Sequence, residues 1–161
     1  MRRLVLPARG VDAIVEDARR YGACGVESGA FLLGPLTADG MVDTIALLGR
    51  RGITRHADHL VISARALGHL FERADREGRQ VLAQLHSHRR EAFMSETDER
   101  FTLTVRGFTS GVIPFAATAS PEPSRWGWWR FDGSRWRVSS PAGVAVTPVQ
   151  ILVLDEGGLV G

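Results

Sequence analysis

Apolar residues along this chain recur with two different spacings, which predict where helices and strands lie. Spacings of three and four residues predict helices over residues 11–21 and 64–77. Short apolar runs bounded by turn residues predict strands at residues 30–35, 42–48, 60–62, 81–85 and 112–118. Residues 128–138 are typical of a β-hairpin that turns at an Asp-Gly pair. The segment 143–154 is apolar but irregular, so the pattern assigns it to no element.

Residues with strong capping preferences set the expected ends of the helices. Gly22 is expected to end the first helix and Gly78 the second, because glycine readily adopts the conformation that follows a helix. Ser63 is the expected N-cap of the second helix. Four apolar residues of that helix share the face that we expect to be buried: Leu67, Leu70, Phe71 and Ala74.

Helices placed between strands predict the fold class. We expect an α/β fold: a single three-layer domain over residues 1–161, with a mixed, mostly antiparallel sheet flanked by helices. The sequence contains no internal repeat, linker or low-complexity segment that would divide it. The hydrophobic fraction of 44% and the charged fraction of 24% are ordinary for a globular protein.

Composition also narrows the location and the partners. No apolar run approaches the roughly 20 residues that span a bilayer, and the N-terminal apolar stretch is too short for a signal peptide. The single cysteine, Cys24, excludes an internal disulfide and favours a reducing compartment, so we expect a cytoplasmic protein without a membrane partner. We expect the Cys24 side chain to be small and buried.

The charge balance argues against a nucleic-acid partner. The sequence pI of about 9.4 looks basic, but the net charge is only +2 and the chain contains no lysine. Arginine stays charged at high pH, so it raises the pI without creating a strong positive field. The arginines are interleaved with acids, and no basic tail is present.

Two histidines close the strand predicted at residues 81–85. Side chains at positions i and i+2 of a strand point to the same face, so the imidazoles of His86 and His88 can reach one metal ion. A lone His-x-His pair is weak evidence, since a polar strand end with ordinary histidines has the same pattern.

Ser95 and Asp98 follow the two histidines and predict a helix over residues 96–105. Ser95 is a preferred N-cap residue, and Asp98 lies in the first turn, where a carboxylate is electrostatically favoured. This capping role is compatible with a second role at a metal. Two imidazoles and one carboxylate leave the fourth tetrahedral position open, which distinguishes a catalytic zinc site from a structural one.

A metal site with an open position also needs a base that is not a ligand. Glu27 is the candidate because it lies just before the buried strand at residues 30–35 and after the first helix. The alternative is that Glu27 is an ordinary surface acid.

These residues form an ordered set: Glu27-x-Gly-x-x-Leu-Leu-Gly, then His86-Ser-His88, then Ser95-x-x-Asp98. The set resembles the JAMM (also JAB or MPN+) zinc metallopeptidases over residues 10–120. The resemblance implies a cytidine-deaminase-like α/β sandwich, one zinc ion per chain on His86, His88 and Asp98, Glu27 as general base, and Ser95 as hydrogen-bond donor to the tetrahedral oxyanion. Arg89 departs from the proline common in the family, and the six residues between His88 and Ser95 are one fewer than usual.

The resemblance also implies an activity and a partner. Members of this kind cleave after the C-terminal glycine of a ubiquitin-like protein, which releases a conjugated target or trims a precursor. The variant here looks like the bacterial branch encoded beside ubiquitin-like conjugation enzymes, often in antiphage operons. Two alternatives stay open: a related branch that processes sulfur-carrier proteins, and a non-catalytic scaffold of the same fold.

The other residues with chemical potential have ordinary interpretations. We expect surface or helix-face positions for His56, His59 and His69, with His56 and His59 in a loop that can border a substrate groove. The four tryptophans are expected to cover the sheet through hairpin packing, or else to form an aromatic platform for a partner: Trp126, Trp128, Trp129 and Trp136.

Overall fold

The computed structural model describes residues 3–161. Within this range the chain forms helices α1 (Ala8–Ala23), α2 (Ala64–Arg76) and α3 (Glu96–Phe101). The strands of this range are β1 (Val5–Pro7), β2 (Gly29–Pro35), β3 (Thr44–Leu48), β4 (Ile53–Arg55), β5 (Leu60–Ile62), β6 (Arg79–Ser87), β7 (Thr109–Ile113), β8 (Gly127–Phe131), β9 (Trp136–Val138), β10 (Gly143–Ala145), β11 (Gln150–Asp155) and β12 (Gly158–Val160). None of these helices is long and apolar enough to cross a membrane.

Eight strands form one mixed sheet in the order β12-β11-β3-β2-β6-β7-β8-β9. Neighbouring strands are antiparallel except for the pairs β11–β3 and β6–β7, which are parallel. Two small sheets pair β1 with β10 and β4 with β5. The architecture is therefore an α/β domain with a mixed, mostly antiparallel sheet, as the sequence pattern predicted. Strand β6 lies near the centre, so its end is flanked on both sides.

The two faces of this sheet are covered by different helices. In β2, Ala30 and Leu32 join a core that contains residues of α1, whereas Phe31 and Leu33 join a core that contains residues of α2. This division follows from the alternation of side chains along a strand. Full burial of one large apolar side chain contributes about 1.5–3 kcal/mol, so both cores hold the layers together. Continuing the alternation backwards places Glu27 on the α2 face.

The end of α1 differs from its prediction. The helix begins at Ala8 and continues to Ala23, beyond Gly22. Gly25 has the positive φ of 74° that follows the helix. Gly22 is required for packing instead, since a Cβ there would lie 2.5 Å from the backbone nitrogen of Ala117. The assignment of Gly22 as the helix end was wrong.

The capping prediction for α2 is confirmed, but one buried position is not. The Oγ atom of Ser63 accepts a hydrogen bond from the backbone N–H of Ala66 at 3.2 Å. Gly78 follows the helix with a φ of 63°. Leu70 and Ala74 are buried as expected, whereas 42% of Phe71 is exposed, so its assignment to the buried face was wrong.

Three predicted segments also change their boundaries. The strand expected at residues 112–118 is β7 (Thr109–Ile113); the chain then turns at Phe115, which has a φ of 52°, into a short 3₁₀ helix. Helix α3 ends at Phe101 rather than near residue 105, because Thr102 is already extended. The unassigned segment 143–154 contains β10 and most of β11, and β11 pairs with β3 in the main sheet.

The observed burial of Cys24 differs from its prediction, and the four tryptophans are buried to different degrees. Cys24 is exposed, not buried, because it is the capping residue that follows the last turn of α1. Trp126 and Trp128 are buried in the core on the α1 face. Trp129 and Trp136 are only partly buried.

Candidate metal centre

The ends of β2 and β6 bring Glu27 and His88 opposite one another. These antiparallel strands pair Gly29 with His86, so the same register places Glu27 across from His88. The side chains of Glu27, His86 and His88 all project from the α2 face of the sheet. A Cβ at Gly29 would lie 2.8 Å from Cδ1 of Leu60, so glycine is needed for the β4–β5 hairpin to pack beside them.

Asp98, in the first turn of helix α3, supplies a fourth side chain beside Glu27, His86 and His88. The Oγ atom of Ser95 accepts a hydrogen bond from the backbone N–H of Asp98 at 3.0 Å. In return, Oδ2 of Asp98 accepts one from the backbone N–H of Ser95 at 3.1 Å. This reciprocal capping box confirms Ser95 as the N-cap and turns the Asp98 carboxylate back towards the start of the helix.

The four side chains converge on one point. Nε2 of His86 lies 3.1 Å from Oδ1 of Asp98, and Nε2 of His88 lies 3.2 Å from Oδ2 of the same carboxylate. Oε1 of Glu27 lies 3.7 Å from Nε2 of His88. One candidate ligand atom from each residue lies within 4.8 Å of the others, and all four residues are buried. The cluster can therefore hold a metal ion.

Several buried atoms of this cluster have no hydrogen-bond partner among the described residues. They are Oε1 and Oε2 of Glu27 and Nε2 of His86. The contact of His86 with Asp98 is close in distance but lacks hydrogen-bond geometry. An unsatisfied buried polar atom typically destabilises a fold by about 1–3 kcal/mol. A cation bound by His86, His88 and Asp98 would satisfy Nε2 of His86 and would lie close to the Glu27 carboxyl group, so the donor set fits a metal.

The contacts of His88 favour a cation on separate grounds. Its Nδ1 atom lies 3.1 Å from the carbonyl oxygen of Glu91. A carbonyl oxygen only accepts, so this contact assigns a proton to Nδ1 and leaves a lone pair on Nε2 of the neutral ring. That lone pair then faces Oδ2 of Asp98 at 3.2 Å. Two acceptors this close need a proton or a metal ion between them. The hydrogen bond at Nδ1 is the orienting contact typical of a histidine ligand.

The environment shifts the pKa values of the two carboxyl groups in opposite directions. Burial, together with the negative charges of Asp98 and Asp58, raises the pKa of Glu27 to about 9. Burial would also raise the pKa of Asp98, but its contacts with His86, His88 and Ser95 lower that pKa below its usual range. Asp98 is therefore the anion of the pair, whereas Glu27 holds a proton readily.

A shallow groove leads away from the cluster along β5. A small cavity with a volume of about 20 Å³ contacts His86 and Asp98 and is also lined by His59, Leu60 and Gln84. Leu60 and Gln84 continue into a second cavity of about 60 Å³, which is lined further by Val61, Ile62, Leu67 and Leu103. Strand β5 pairs with β4, and its other edge pairs with no described strand. The groove and this unpaired strand edge thus lie beside the cluster.

The structure brings together four of the five predicted site residues, and Ser95 is bonded to one of them. The other histidines lie outside the cluster. His56 is exposed, His69 lies on α2 with Nε2 3.0 Å from the carbonyl oxygen of Glu156, and His59 borders the small cavity. Sequence analysis missed Arg55, which contacts the backbone of Glu27. No sequence signal distinguishes it from the other arginines.

Comparisons with known proteins bear on the fold alone. No protein-family model and no curated protein matches this sequence. A protein of Desulfitobacterium hafniense, solved in solution, is 17% identical with a TM-score of 0.69; the match covers 90% of this chain and 94% of that one. A second solution structure, from Salinibacter ruber (strain DSM 13855), is 22% identical with a TM-score of 0.53 and coverages of 87% and 90%. At these identities the likeness establishes a shared fold.

Proposed function

We propose that this protein is a zinc-dependent peptidase of the JAMM type. Its substrate in this proposal is the peptide or isopeptide bond after the C-terminal glycine of a ubiquitin-like protein. The observation that carries the proposal is the buried convergence of Glu27, His86, His88 and Asp98, whose unsatisfied atoms match a cation. The JAB/MPN-type fold, as a finer description of the α/β domain, is part of the same proposal.

The ligand types favour zinc over the other common metals. Two imidazoles and one carboxylate are a set that zinc accepts in catalytic sites, whereas magnesium and calcium prefer oxygen ligands alone. In the proposed assignment His86, His88 and Asp98 hold the ion. When bound, zinc supplies Lewis-acid polarisation of a carbonyl group and lowers the pKa of a coordinated water molecule.

Glu27 carries the proton during the reaction in this proposal. Its carboxylate takes one proton from the attacking water, and the new C–O bond forms at the scissile carbonyl. The carboxylic acid then returns that proton to the leaving amine as the C–N bond breaks. Burial supports this role because it raises the pKa of Glu27 to about 9, and a divalent cation in the cluster would move that pKa back towards neutrality.

Ser95 stabilises the charge that develops on the carbonyl oxygen. Its Oγ atom already accepts the backbone N–H of Asp98. In this proposal the Ser95 hydroxyl, whose side chain contacts the Asp98 carboxylate in this structure, donates its proton to the oxyanion instead. A donor of this kind contributes about 3–4 kcal/mol to the transition state.

The unpaired edge of β5 suits the tail of such a substrate. An extended peptide can add to a free strand edge through main-chain hydrogen bonds. The adjoining groove passes from Leu103 to His86, so a tail along β5 would end at the cluster. A terminal glycine suits the last part of this path, because the cavity of about 20 Å³ beside His86 leaves no room for a larger side chain.

Elemental analysis is the first test, on the wild type and on His88→Ala. We expect about one zinc ion per wild-type chain and loss of the ion in the variant. Zinc-loaded protein should then cleave fusions joined through a glycine-ended ubiquitin-like or sulfur-carrier tail. A folded, zinc-supplemented wild type that binds no zinc would contradict the peptidase assignment and favour a non-catalytic scaffold.

A further inference from the structure

The carboxyl group of Glu27 is not held in place by any hydrogen bond. Both of its oxygens are buried, and neither has a partner among the described residues. Asp98, by contrast, is fixed by its capping box with Ser95. The position of the Glu27 carboxyl group therefore depends on the backbone that carries it and on the side chains packed around it.

Both backbone groups of Glu27 are bonded to the end of β4. The N–H of Glu27 donates to the carbonyl oxygen of His56 at 2.9 Å. The carbonyl oxygen of Glu27 accepts a hydrogen bond from Nη1 of Arg55, also at 2.9 Å. Two consecutive residues of β4 and its loop thus hold the peptide groups on either side of the Glu27 Cα atom.

Arg55 is itself fixed by contacts with two other parts of the fold, the end of β3 and α1. Its Nη2 atom donates to the carbonyl oxygens of Leu48 at 2.6 Å and Gly49 at 2.9 Å, at the end of β3. Its guanidinium carbon lies 3.6 Å from the ring centroid of Tyr21 in the last turns of α1. A planar guanidinium has several donors in a fixed arrangement and stacks on aromatic rings. Lysine can reproduce neither feature.

We propose that Arg55 is a positioning residue for Glu27. The inference rests on the proposed function, because it takes Glu27 as the base. Arg55 joins the ends of α1 and β3 to the residue that precedes β2, and it thereby sets where the Glu27 carboxyl group lies relative to His88. Arg55 contacts neither the metal ligands nor the groove, so it acts through Glu27.

The variants Arg55→Lys and Arg55→Met test this role, with Arg19→Lys as the matched control. Arg19 also donates two N–H groups to one backbone carbonyl, that of Ala119, but away from the site. With zinc content equal to that of the wild type, both Arg55 variants should lose about 10- to 100-fold in kcat with KM within about 3-fold. The control should retain the wild-type kcat. Full activity of both Arg55 variants would overturn the proposal.

A double-mutant cycle separates positioning from a general loss of structure. If Arg55 acts through Glu27, Arg55→Lys should change the residual rate by less than about 2-fold in a Glu27→Gln background. An equal loss in both backgrounds would show that Arg55 merely supports the fold, and the proposal would fail.

Amide hydrogen exchange tests, independently of any activity, whether Arg55 holds the backbone of Glu27 in place. We expect the Glu27 amide to exchange about 10-fold faster or more in Arg55→Lys, while amides inside β2 keep their wild-type rates. A wild type that cleaves none of the fusions would refute the proposed function while this measurement still decides the role of Arg55. An unchanged exchange rate at the Glu27 amide would show that Arg55 does not hold the Glu27 backbone, and the proposal would fail.

Discussion

The chain contains two pairs of neighbouring histidines, and only one pair belongs to the metal cluster. The rings of His56 and His59 stack with centroids 4.1 Å apart and planes 13° apart. Those of His86 and His88 are further apart, at 5.1 Å, and are tilted by 53°. In the closer pair His56 is exposed and His59 is partly buried, and His59 contacts Asp58, whose side chain is 85% exposed. The more distant pair is buried.

The comparison shows that closeness of the rings does not make a metal site. In the buried pair both Nε2 atoms face the same carboxylate, whereas stacked rings direct their nitrogen atoms sideways. Burial matters as much, because electrostatic attraction is much stronger where water is excluded. Convergence and burial thus distinguish a candidate ligand pair from the other pair of the same residue type.

The largest expected effect is the loss of kcat when Glu27, the acid beside the buried histidine pair, is replaced; Asp58, beside the other pair, is the comparison. Glu27→Gln should lower kcat by about 10³-fold or more, since a positioned general base contributes about 10²–10⁴-fold. Zinc content should stay unchanged, because Glu27 is not among the assigned ligands. Asp58→Asn, beside the other pair, should change kcat by less than about 3-fold, a range ordinary for a surface substitution. Rates of the fusion-cleavage reaction measure both variants, and an active Glu27→Gln enzyme would contradict the assigned base.

The next effect is the stability that zinc confers. A ligand that binds only the folded state, at about 1,000 times its Kd, raises the free energy of unfolding by about 4 kcal/mol. We expect this gain in the wild type and in His56→Ala, which keeps the carbonyl group that binds Glu27. His88→Ala should show no gain. Denaturant unfolding with zinc and with a chelator measures the difference, and a zinc effect that depends on His56 instead would reverse the comparison.

Much of the buried cluster could be predicted because its residues lie at element ends with strong local signals. Alternation along a strand gives the shared face of His86 and His88, and capping preference gives Ser95 and Asp98. Glu27 was identified by its place before a buried strand. None of these signals gives the register that sets Glu27 across from His88, because strand pairing is a long-range property.

The predictions that were wrong or missing have the same physical origin, because they too depend on contacts between distant parts of the chain. Gly22 and Gly25 are equivalent as local helix terminators, and only the packing of α1 against the 3₁₀ helix at Ala116–Thr118 distinguishes them. Strand β11 has an irregular pattern because Ile151 and Val153 remain partly exposed beside α1. Arg55 was missed because a hydrogen bond to a distant carbonyl oxygen leaves no trace in the local sequence.

A smaller effect comes from the two capping serines, one at the cluster and one away from it. Ser95 caps α3 and Ser63 caps α2 through the same type of hydrogen bond. Replacement of either by alanine should lower the free energy of unfolding by about 1 kcal/mol. Only Ser95→Ala should also lower kcat, by about 100-fold, because it removes an oxyanion donor. Equal activities of the two variants would show that Ser95 acts only as a helix cap and not as an oxyanion donor.

The smallest effect is the pH dependence of the metal-free protein. The folded-state pKa of Glu27 is raised from 4.5 to about 9. Between these values the folded state binds a proton that the unfolded state has lost, so the free energy of unfolding falls as the pH rises. The stabilisation is complete below pH 4.5 and is lost progressively up to pH 9. The slope from one such group is about 1.4 kcal/mol per pH unit at most.

Glu27→Gln isolates this contribution. The variant lacks the titrating group, so its free energy of unfolding relative to the wild type should rise by about 1.4 kcal/mol from pH 6.5 to 7.5. Asp58→Asn should show no such rise, because the hydrogen bond with His59 lowers the pKa of Asp58 and its carboxyl group stays ionised across this range. Chemical denaturation with a chelator present measures both differences. Parallel curves for wild type and Glu27→Gln would mean that Glu27 is already ionised in the folded protein, which would remove the contrast between the buried acid and the exposed one.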